Sequence, residues 1–345
     1  MSEGQNKILV TGGTGYIGSH TVVELQEAGF EVVIVDNLSN SEAEVVERIG
    51  KITGTAPKFY KADMTVKEEV AAVFEQESPF AAAIHFAAYK AVGESVEKPL
   101  MYYENNLNSL MNLLWFADQH KMQNLVFSSS CTVYGQPDQL PVTEQTPVIK
   151  PEAPYGNTKR ISEEIIQDFT IVQENFSGIA LRYFNPIGAH PSALIGELPR
   201  GVPNNLVPFV TQTAAGLREQ LKVFGNDYNT PDGTCIRDYI NVVDLAKAHV
   251  AAIKRQLTGK TKNNYEVFNL GTGTGASVLD VVKGFESATG VKLNYAMAPR
   301  RPGDVEQIYA NASNAENELN WKAEKTLKET LASAWEWEKK LRNIQ

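Results

Sequence analysis

Apolar runs alternate with helical patterns along the first half of this chain. The runs predict buried strands at 7–12, 31–36, 57–63, 81–88, 124–130 and 178–186. Helical patterns lie between them, at 17–29, around 66–76, and at 99–120 and 154–176. Apolar strands separated by helices are typical of a parallel sheet that is covered by helices on both faces. The pattern therefore predicts an α/β fold with a doubly wound parallel sheet.

The pattern weakens after Pro186. Residues 186–240 carry many of the prolines and glycines, which predicts a smaller, loop-rich second part. Residues 239–257 predict a regular helix that returns to the first part, and 267–273 predict a strand and a turn. The last helical stretch, 326–342, is rich in lysine and glutamate, so we interpret it as a solvated surface helix.

Composition narrows the possible partners. The chain has 345 residues, 43% hydrophobic and 21% charged, which suits one large domain or two ordinary ones. Its formal net charge of −9, without a basic stretch, argues against nucleic acid or an anionic membrane as the main partner. No apolar run approaches the length of a membrane span, and the start, "MSEGQNKILV", lacks signal-peptide architecture. Cys131 and Cys235 provide neither a disulfide framework nor a metal cluster, so we predict the reducing cytosol as the location and no bound metal.

A glycine motif joins the first predicted strand to the first helix. In "VTGGTGYIG", Gly12, Gly15 and Gly18 have GxxGxxG spacing. Such glycines let the backbone approach a pyrophosphate, while the helix N-terminus supplies N–H donors and partial positive charge. A tight strand–helix turn without a ligand is the alternative. The order of strand, motif, helix, strand and acid favours a Rossmann dinucleotide site. A second glycine run, "GTGTG" at 271–275, lacks this spacing, and we interpret it as a loop.

The acid is Asp36, which ends the second strand 18 residues after Gly18. A carboxylate there can bind the hydroxyls of the adenosine ribose and would repel a 2′-phosphate. The sequence continues as "DNLSN", without an arginine, which favours NAD over NADP. Asp63 has two interpretations, a contact to the adenine amino group or a capping residue for the helix around 66.

Tyr155 and Lys159 stand four residues apart in "PYGNTK", at 154–159. Pro154 suits the first turn of a helix, and residues at i and i+4 are neighbours on a helix surface. A positive charge beside a tyrosine favours the phenolate, so the pair could form an activated base. An ordinary surface pair gives the same spacing, and the hexapeptide alone leaves both readings open.

Several longer motifs resemble a known family. "TGGTGYIG", a serine run before "VYG", and "YGNTK" resemble the extended short-chain dehydrogenase/reductase family. Five further stretches resemble the UDP-galactose 4-epimerases within it: "HFAAYKAVGES" (85–95), "NPIGAHPS" (185–192), "PNNLVPFV" (203–210), "DGTCIRDYINVVDLA" (232–246) and "RRPGDVEQIYAN" (300–311). The resemblance spans nearly the whole chain, and its last three stretches are the most specific.

The resemblance implies roles for individual residues. Tyr155 would be the catalytic base, Lys159 would bind the nicotinamide ribose and lower the tyrosine pKa, and Ser130 would hydrogen-bond the reacting sugar hydroxyl. Besides Tyr155 and Lys159, the implied cofactor contacts are Gly12, Gly15, Tyr16, Ile17, Gly18, Asp36, Asn37, Asp63, Met64, Phe86, Ala87, Lys90, Asn105, Ser128 and Phe184. The implied UDP-sugar contacts are Lys90, Ser130, Tyr155, Asn185, Asn205, Leu206, Val223, Phe224, Arg237, Tyr239, Arg301, Asp304 and Ile308.

The resemblance also implies an activity, NAD-dependent epimerisation at C4 of a UDP-hexose through a transient 4-keto sugar. Residues 1–185, with 241–270 returning to them, would form the NAD-binding Rossmann domain, and 186–345 mainly the UDP-sugar domain. Arg237 and Arg301 would offer bidentate donors to a pyrophosphate, although structural ion pairs are the commoner use of arginine. Helices 99–120 and 154–176 would pair across a homodimer, but their apolar faces are equally consistent with core packing.

Two other functions share these motifs. A sugar-nucleotide 4,6-dehydratase needs an extra acid and base, and relatives of that type resemble each other in an Asp–Glu pair after the serine or threonine. Here Cys131 and Thr132 follow Ser130. A NAD-binding regulator without catalysis can lose the tyrosine or the lysine, whereas this chain keeps both. A UDP-glucuronate decarboxylase is a third possibility that no feature of the chain favours.

Two departures bear on specificity. Ile308 falls where family members vary in bulk, and a tyrosine there would crowd a 2-acetamido group. Isoleucine is smaller, so we hypothesise that N-acetylated UDP-sugars are also accepted. Tyr89, beside the lysine of "FAAYK", could alter cofactor contacts in a way that the sequence does not define.

Overall fold

The larger layer of the structure is a seven-stranded parallel sheet. The structure is a computed structural model and describes residues 6–301 and 304–344. The domains predicted from the sequence also include residues 1–5, 302–303 and 345, which lie outside the described residues. The strands of this sheet are β1 (Lys7–Thr11), β2 (Glu31–Asp36), β3 (Lys58–Lys61), β4 (Ala82–His85), β5 (Asn124–Ser130), β6 (Ser177–Tyr183) and β10 (Tyr265–Leu270). Their order across the sheet is β10-β6-β5-β4-β1-β2-β3.

Helices cover both faces of this sheet because its strands are apolar on both faces. Ile8 and Val10 pack into one core cluster and Leu9 into the other, as the alternation of side chains along a strand requires. The flanking helices are α1 (Tyr16–Glu27), α2 (Glu44–Thr53), α3 (Lys67–Glu77), α4 (Val92–Glu97), α5 (Pro99–Gln119), α6 (Pro154–Val172) and α8 (Val242–Leu257). The fold is therefore the doubly wound α/β fold that the sequence predicts.

A second region is built mainly from shorter elements. Its strands are β7 (Asn185–Ile187), β8 (Leu221–Phe224), β9 (Ile236–Asn241), β11 (Gly275–Ser277), β12 (Tyr295–Ala298) and β13 (Gln307–Ile308). Its helices are α7 (Leu206–Ala214), α9 (Val278–Thr289) and α11 (Leu327–Arg342), and α10 (Ser313–Leu319) packs beside β10. Strand β9 pairs with β7, β11 and β13, and β12 pairs with β8. The region thus contains more regular structure than the loop-rich pattern predicts.

Two predictions about helices are wrong. The predicted helix at 239–257 begins at Val242, because residues 239–241 end strand β9 and Asn241 caps the helix through the backbone N–H of Val243. Helix α11 is not merely a solvated surface helix. Its Leu331, Ala334 and Trp335 are buried in the core of the second region, and the Trp335 ring meets that of Phe285 edge-on at 5.8 Å.

Replacing Leu331 with alanine tests the packing of α11. Leu331 is fully buried, so we expect a loss of about 2–5 kcal/mol in the free energy of unfolding. Lys328→Ala, on the exposed side of the same helix, should stay within about 0.5 kcal/mol of the parent. Urea unfolding followed by circular dichroism measures both. Equal effects of the two substitutions would contradict the burial of this helix.

Candidate active site

The glycine-rich turn lies at the carboxyl end of β1. Gly12 has φ +71°, and a Cβ there would lie 2.8 Å from the backbone nitrogen of Ala87. A Cβ on Gly18 would collide with the carbonyl oxygen of Gly12. Gly15 is the N-cap residue of α1 and has no side chain to occupy the helix N–H groups. The turn is therefore a cradle that side chains would fill, and it fits a pyrophosphate.

Asp36 closes the far side of this cradle. Its carboxylate accepts hydrogen bonds from the backbone N–H of Thr14 at 3.2 Å and of Leu38 at 2.9 Å, and from the Ser41 hydroxyl at 3.1 Å. A carboxylate offers about four acceptor positions, so one is left for a ribose hydroxyl. The fold also brings Arg200 against the carbonyl oxygens of Ser39 and Ser41. This arginine could not be predicted from the sequence, because it stands far from Asp36 along the chain.

Asp63 lies beside this loop. It accepts from the backbone N–H and the hydroxyl of Thr65 at 2.8 and 2.7 Å and from the Asn37 amide at 2.9 Å. Burial raises the pKa of Asp63, but these hydrogen bonds outweigh it and the net pKa is lowered. The N-cap residue of α3 is Val66, so the capping role considered for Asp63 is wrong. Asp63 and Asn37 are linked by a hydrogen bond and form the Asp63–Asn37 rim, in which Asn37 directly follows Asp36 along the chain. The adjacent Met64 is buried.

Lys159 is buried, which excludes an ordinary surface pair. Only 4% of the residue is exposed, and its Nζ donates to the carbonyl oxygen of Ser128 at 2.6 Å and lies 4.8 Å from the centre of the Phe127 ring. Burial lowers the pKa of Lys159 to about 7, against the opposing charge of Glu163. The ammonium is thus held beneath the first turn of α6 by strand β5 and by its own helix.

Tyr155 precedes Lys159 by one turn and is half-buried. Burial raises its pKa to about 12, while a hydrogen bond with Ser130 lowers it. The pKa of Tyr155 is therefore raised and not lowered as expected. Burial of the phenol outweighs the effect of Ser130, and the Lys159 ammonium donates to the Ser128 carbonyl.

Ser130 ends β5 and begins a 3-10 turn. Its hydroxyl accepts from the backbone N–H of Thr132 at 3.2 Å, which fixes the side chain at the carboxyl edge of the sheet. Cys131 is buried next to it, and burial raises the pKa of the thiol to about 12. Cys131, Phe184 and Ile308 share one apolar cluster, so Ile308 lies on the wall beside the Ser130 strand end.

The end of β4 contributes the residues from Phe86 to Lys90. The Phe86 ring contacts His249 at 4.8 Å. Asn106 binds both the N–H and the carbonyl of Tyr89, at 2.8 and 3.1 Å, and also accepts from Asn105 at 2.9 Å. Tyr89 is therefore anchored to α5 through its backbone. This role of Asn106 was not predicted, because the residue belongs to no sequence motif.

Glu197 contacts two residues that were expected to bind NAD or the UDP-sugar, Lys90 and Asn205. Its Oε1 accepts from the Asn205 amide at 2.6 Å and lies 3.5 Å from the Lys90 ammonium. Tyr16 is close by: its hydroxyl donates to the Gly188 carbonyl at 2.7 Å, and burial together with the charge of Glu197 raises its pKa. Glu197 was also missed, because "IGELPRG" carries neither periodicity nor a spaced pattern.

A pair of arginines faces this edge from the second region. Arg301 binds Asp304 in a bidentate manner, at 3.0 and 3.1 Å, and lies 5.2 Å from the centre of the Phe224 ring. Arg237 reaches the same carboxylate at 3.8 Å. Both arginines therefore form ion pairs within the protein. Because they share the Asp304 carboxylate, these ion pairs also bring the two guanidinium groups close together. A cluster of this kind fits a diphosphate.

The remaining expected contacts surround this cluster. Asn185 pairs with Tyr239 between β7 and β9, and Ile308 pairs with Arg237 between β13 and β9. Leu206 is the first residue of α7. The side chain of Val223 lies in the core of the second region, so only its backbone could meet a ligand.

The second glycine run binds an internal anion. Its Thr272 donates to the Asp238 carboxylate from the backbone at 2.8 Å and from the hydroxyl at 2.7 Å, and the N–H groups of Gly273 and Ala310 add bonds at 3.2 Å. Gly275 already belongs to β11, so only the first part of the run is a loop.

Within residues 6–301 and 304–344, helices that are long and apolar enough to cross a membrane are absent. The same ranges contain no group of three or more histidine, cysteine or acidic side chains arranged to hold a metal ion.

A parallel sheet with a glycine cradle, an acid at the end of β2 and a half-buried tyrosine one turn before a buried lysine defines a dinucleotide-binding protein of the short-chain dehydrogenase/reductase type. The comparisons narrow this class. Residues 9–334 match the family model described as GDP-mannose 4,6 dehydratase. The chain is 50% identical over 331 residues to UDP-glucose 4-epimerase of Bacillus subtilis, covering 96% of each. It belongs to the family of UDP-glucose 4-epimerases.

Solved structures agree with this membership. UDP-glucose 4-epimerase from Bifidobacterium longum in complex with NAD+ and UDP has a TM-score of 0.93 and 47% identity, and the match covers 98% of this chain and 100% of that one. The UDP-Glc/GlcNAc 4-epimerase from Campylobacter jejuni has a TM-score of 0.83 and 37% identity, and the match covers 97% of this chain and 99% of the other.

Proposed function

We propose that this chain interconverts UDP-galactose and UDP-glucose by NAD-dependent epimerisation at C4 of the hexose. The observation that carries the proposal is the arrangement of Ser130 and Tyr155. Ser130 ends β5 at the carboxyl edge of the sheet, and Tyr155 lies in the first turn of α6, close enough for Ser130 to lower its pKa. A UDP-sugar whose diphosphate lies at the arginines could direct its hexose to this point. Half of the residues are shared with an epimerase over almost the full chain, which supports the same reading.

Tyr155 is assigned as the group that takes the proton of the 4-hydroxyl and returns it. With a pKa of about 12, the tyrosine keeps its proton at neutral pH. The hydrogen bond from Ser130 and a positive charge nearby both favour the phenolate, so the base would become active when the complete site is assembled. Lys159 is the cation of the chain nearest to this role, and Ser130 would orient the sugar hydroxyl.

NAD, when bound, supplies reversible hydride acceptance at C4 of the sugar. The residues that would hold it are the glycine cradle, Asp36 and the Asp63–Asn37 rim for the adenosine end. Phe86, Lys159 and Phe184 would lie towards the nicotinamide end. The protein binds and orients, and the reaction needs no net oxidant because the two sugars have the same oxidation state.

The residues at the carboxyl edge of the sheet do not support the alternative functions. A 4,6-dehydratase would need a carboxyl acid and base after Ser130, where the chain has a buried thiol of high pKa and a threonine. A silent NAD-binding regulator would not need a buried lysine beneath a tyrosine. The cytosol stays the predicted location, and both cysteines are free and buried.

Ile308 gives a specificity hypothesis. It is only 5% exposed and packs against Cys131 and Phe184 beside the Ser130 strand end. A tyrosine at this position could not fit in the same volume and would extend towards the sugar. We therefore propose that the native chain also accepts UDP-N-acetylgalactosamine. The name of the Campylobacter jejuni relative includes an N-acetylated sugar, which is consistent with this proposal.

A homodimer is proposed from α5. Leu100, Met111 and Trp115 lie on one side of this helix and are exposed, Leu100 by 80%. Helix α5 also packs against α6, whose Ile171 and Val172 are exposed. An apolar stripe of this kind is costly to leave in water and is typical of an interface. The occupant that we propose is the same stripe of a second copy.

The first test is turnover by purified protein without added cofactor. We expect conversion of UDP-galactose to UDP-glucose, detected by chromatography, without accumulation of NADH. Tyr155→Phe should lower kcat by about 10²–10⁴-fold because the proton acceptor is lost. Its content of bound NAD should not change. Tyr295→Phe, an exposed position on β12, is the matched control and should resemble the parent.

Other outcomes would favour the alternatives. NAD binding without turnover, even after NAD is added, would indicate a silent binding module. A dehydrated 4-keto-6-deoxy product would indicate a dehydratase, and full activity in Tyr155→Phe would remove the proposed base.

Ile308→Tyr tests the specificity hypothesis. The larger side chain should reduce kcat/KM for UDP-N-acetylgalactosamine at least about tenfold, whereas UDP-galactose should be little affected. Ile308→Val keeps the pocket open and serves as the control. The comparison requires initial rates on both sugars for all three proteins. A native enzyme that is inactive on the N-acetylated sugar would refute the hypothesis.

Sedimentation tests the dimer. The parent should sediment at about twice its mass of 38.0 kDa. Met111→Glu should weaken association at least about tenfold, because an unpaired carboxylate would be buried in the interface. Leu217→Glu, an exposed position after α7, should leave the dimer intact. A monomeric parent at micromolar concentration would contradict the proposal.

A further inference from the structure

A buried charged network lies behind the Tyr155–Lys159 helix and has no part in the mechanism above. Its centre is an ion pair between Glu163 on α6 and Arg182 on β6, which are only 6% and 5% exposed. Arg182 donates to both carboxylate oxygens, from Nε at 2.9 Å and from Nη2 at 2.5 Å. A buried charge pair is tolerated only when its geometry is good and its other hydrogen-bonding positions are filled.

Those positions are filled by Ser129 on β5 and by Tyr134 in the 3-10 turn that follows β5. The Ser129 hydroxyl of β5 donates to Glu163. Arg182 also donates from Nη1 to the Tyr134 hydroxyl at 3.0 Å, and Tyr134 in turn donates to Asn269 of β10 at 2.7 Å. The network therefore connects α6 to β5, β6 and β10, and Glu163 is its only member on the helix.

Glu163 acts on both halves of the catalytic pair through neighbouring residues. On the helix it lies one turn beyond Lys159, on the same face. On the strand it holds Ser129, which stands between Ser128 and Ser130. The Ser128 carbonyl accepts from the Lys159 ammonium at 2.6 Å, and the Ser130 side chain is near enough to Tyr155 to lower its pKa. A single carboxylate thus sets the distance between the helix that carries the base and the strand end that carries the serine.

We propose that Glu163 is a positioning residue for the epimerisation: its carboxylate locks the end of β5 against α6, so that Ser130 stays aligned with Tyr155 and the Lys159 ammonium stays in place. The proposal rests on the proposed function for its catalytic part. Its structural part, the dependence of Lys159 on Glu163, stands independently.

Electrostatics adds a second consequence. The ionisable groups around Lys159 are Tyr155 and Glu163 on α6, His85 on β4, and Arg182 and Tyr183 on β6. Burial lowers the pKa of His85 to about 3, so it is neutral, and Arg182 is paired with Glu163. Glu163 is the one anion named among these groups, and it favours the protonated form of Lys159. Without it, Lys159 would lose its proton at lower pH.

The test compares Glu163→Gln with Glu164→Gln. Glu164 is the next residue, is 56% exposed and pairs with Arg160, so its variant should resemble the parent. Glu163→Gln should lower kcat about 10–100-fold, since small misalignments of reacting groups cost that much. KM for UDP-galactose and the content of bound NAD should not change. The alkaline limb of the kcat profile should move to lower pH, because protonated Lys159 is lost earlier.

Glu163→Asp separates the two effects. It keeps the charge but shortens the side chain, so kcat should fall while the alkaline limb stays near its parental position. A Glu163→Gln variant with parental kcat and pH profile would overturn the proposal. So would a loss of kcat in Glu163→Gln that only follows the folded fraction.

A further variant keeps the proposal testable if Glu163→Gln folds poorly, and a titration tests it without turnover where that variant folds. Ser129→Ala removes the hydroxyl that Glu163 holds and leaves the ion pair intact, and it should lower kcat about tenfold at unchanged KM. Parental kcat in Ser129→Ala would overturn the alignment. The pKa of Lys159, followed by NMR of labelled lysine Cε carbons and assigned with Lys159→Met, should be lower in Glu163→Gln than in Glu164→Gln. This titration needs no turnover, so it distinguishes failure of the positioning role from failure of the epimerase assignment.

Discussion

A buried ammonium group is the constraint on which the site depends. Removing the charge of Lys159 from water is costly, and the cost is tolerable only if groups of the protein replace the lost hydration. The Ser128 carbonyl, the Phe127 ring and the charge of Glu163 do this together. Each comes from an element whose place is fixed by the sheet. The position of the lysine, and of the tyrosine one turn before it, is therefore set by the core rather than by the surface.

The rest of the site is arranged around this point by topology. The carboxyl ends of parallel strands meet at one edge, so the glycine cradle after β1, the acid after β2 and the serines after β5 become neighbours. The second region supplies the opposite wall. There, Asp304 holds Arg237 and Arg301 together. The chain is acidic overall, and this local pairing concentrates positive charge where an anionic ligand could be bound.

Sequence reasoning succeeded where a local pattern carries the structural cause. Alternating apolar strands and helices predicted the sheet, and the spacing of glycines predicted the cradle before α1. It failed where the cause is long-range. Strand β9 takes residues 239–241 from the predicted helix because it pairs with three partners distant along the chain. Glu197 and Arg200 act through contacts that only the fold creates. Helix α11 looked solvated because lysines and glutamates are interspersed with the apolar residues of its buried face.

The two glycine runs show why spacing matters more than composition. Both present backbone N–H groups to an anion, which is the same chemistry. In the run at 271–275 the anion is the chain's own Asp238, which accepts from Thr272 and Gly273, so the loop is occupied and is tied to β9 beside Arg237. In the first run the glycines lead directly into helix α1. Among the backbone N–H groups of this run, Asp36 accepts a hydrogen bond only from that of Thr14. The helix N-terminus stays available for a ligand. An internal carboxylate thus makes one glycine loop a structural support, and a helix N-terminus gives the other the chemistry that suits an anionic ligand.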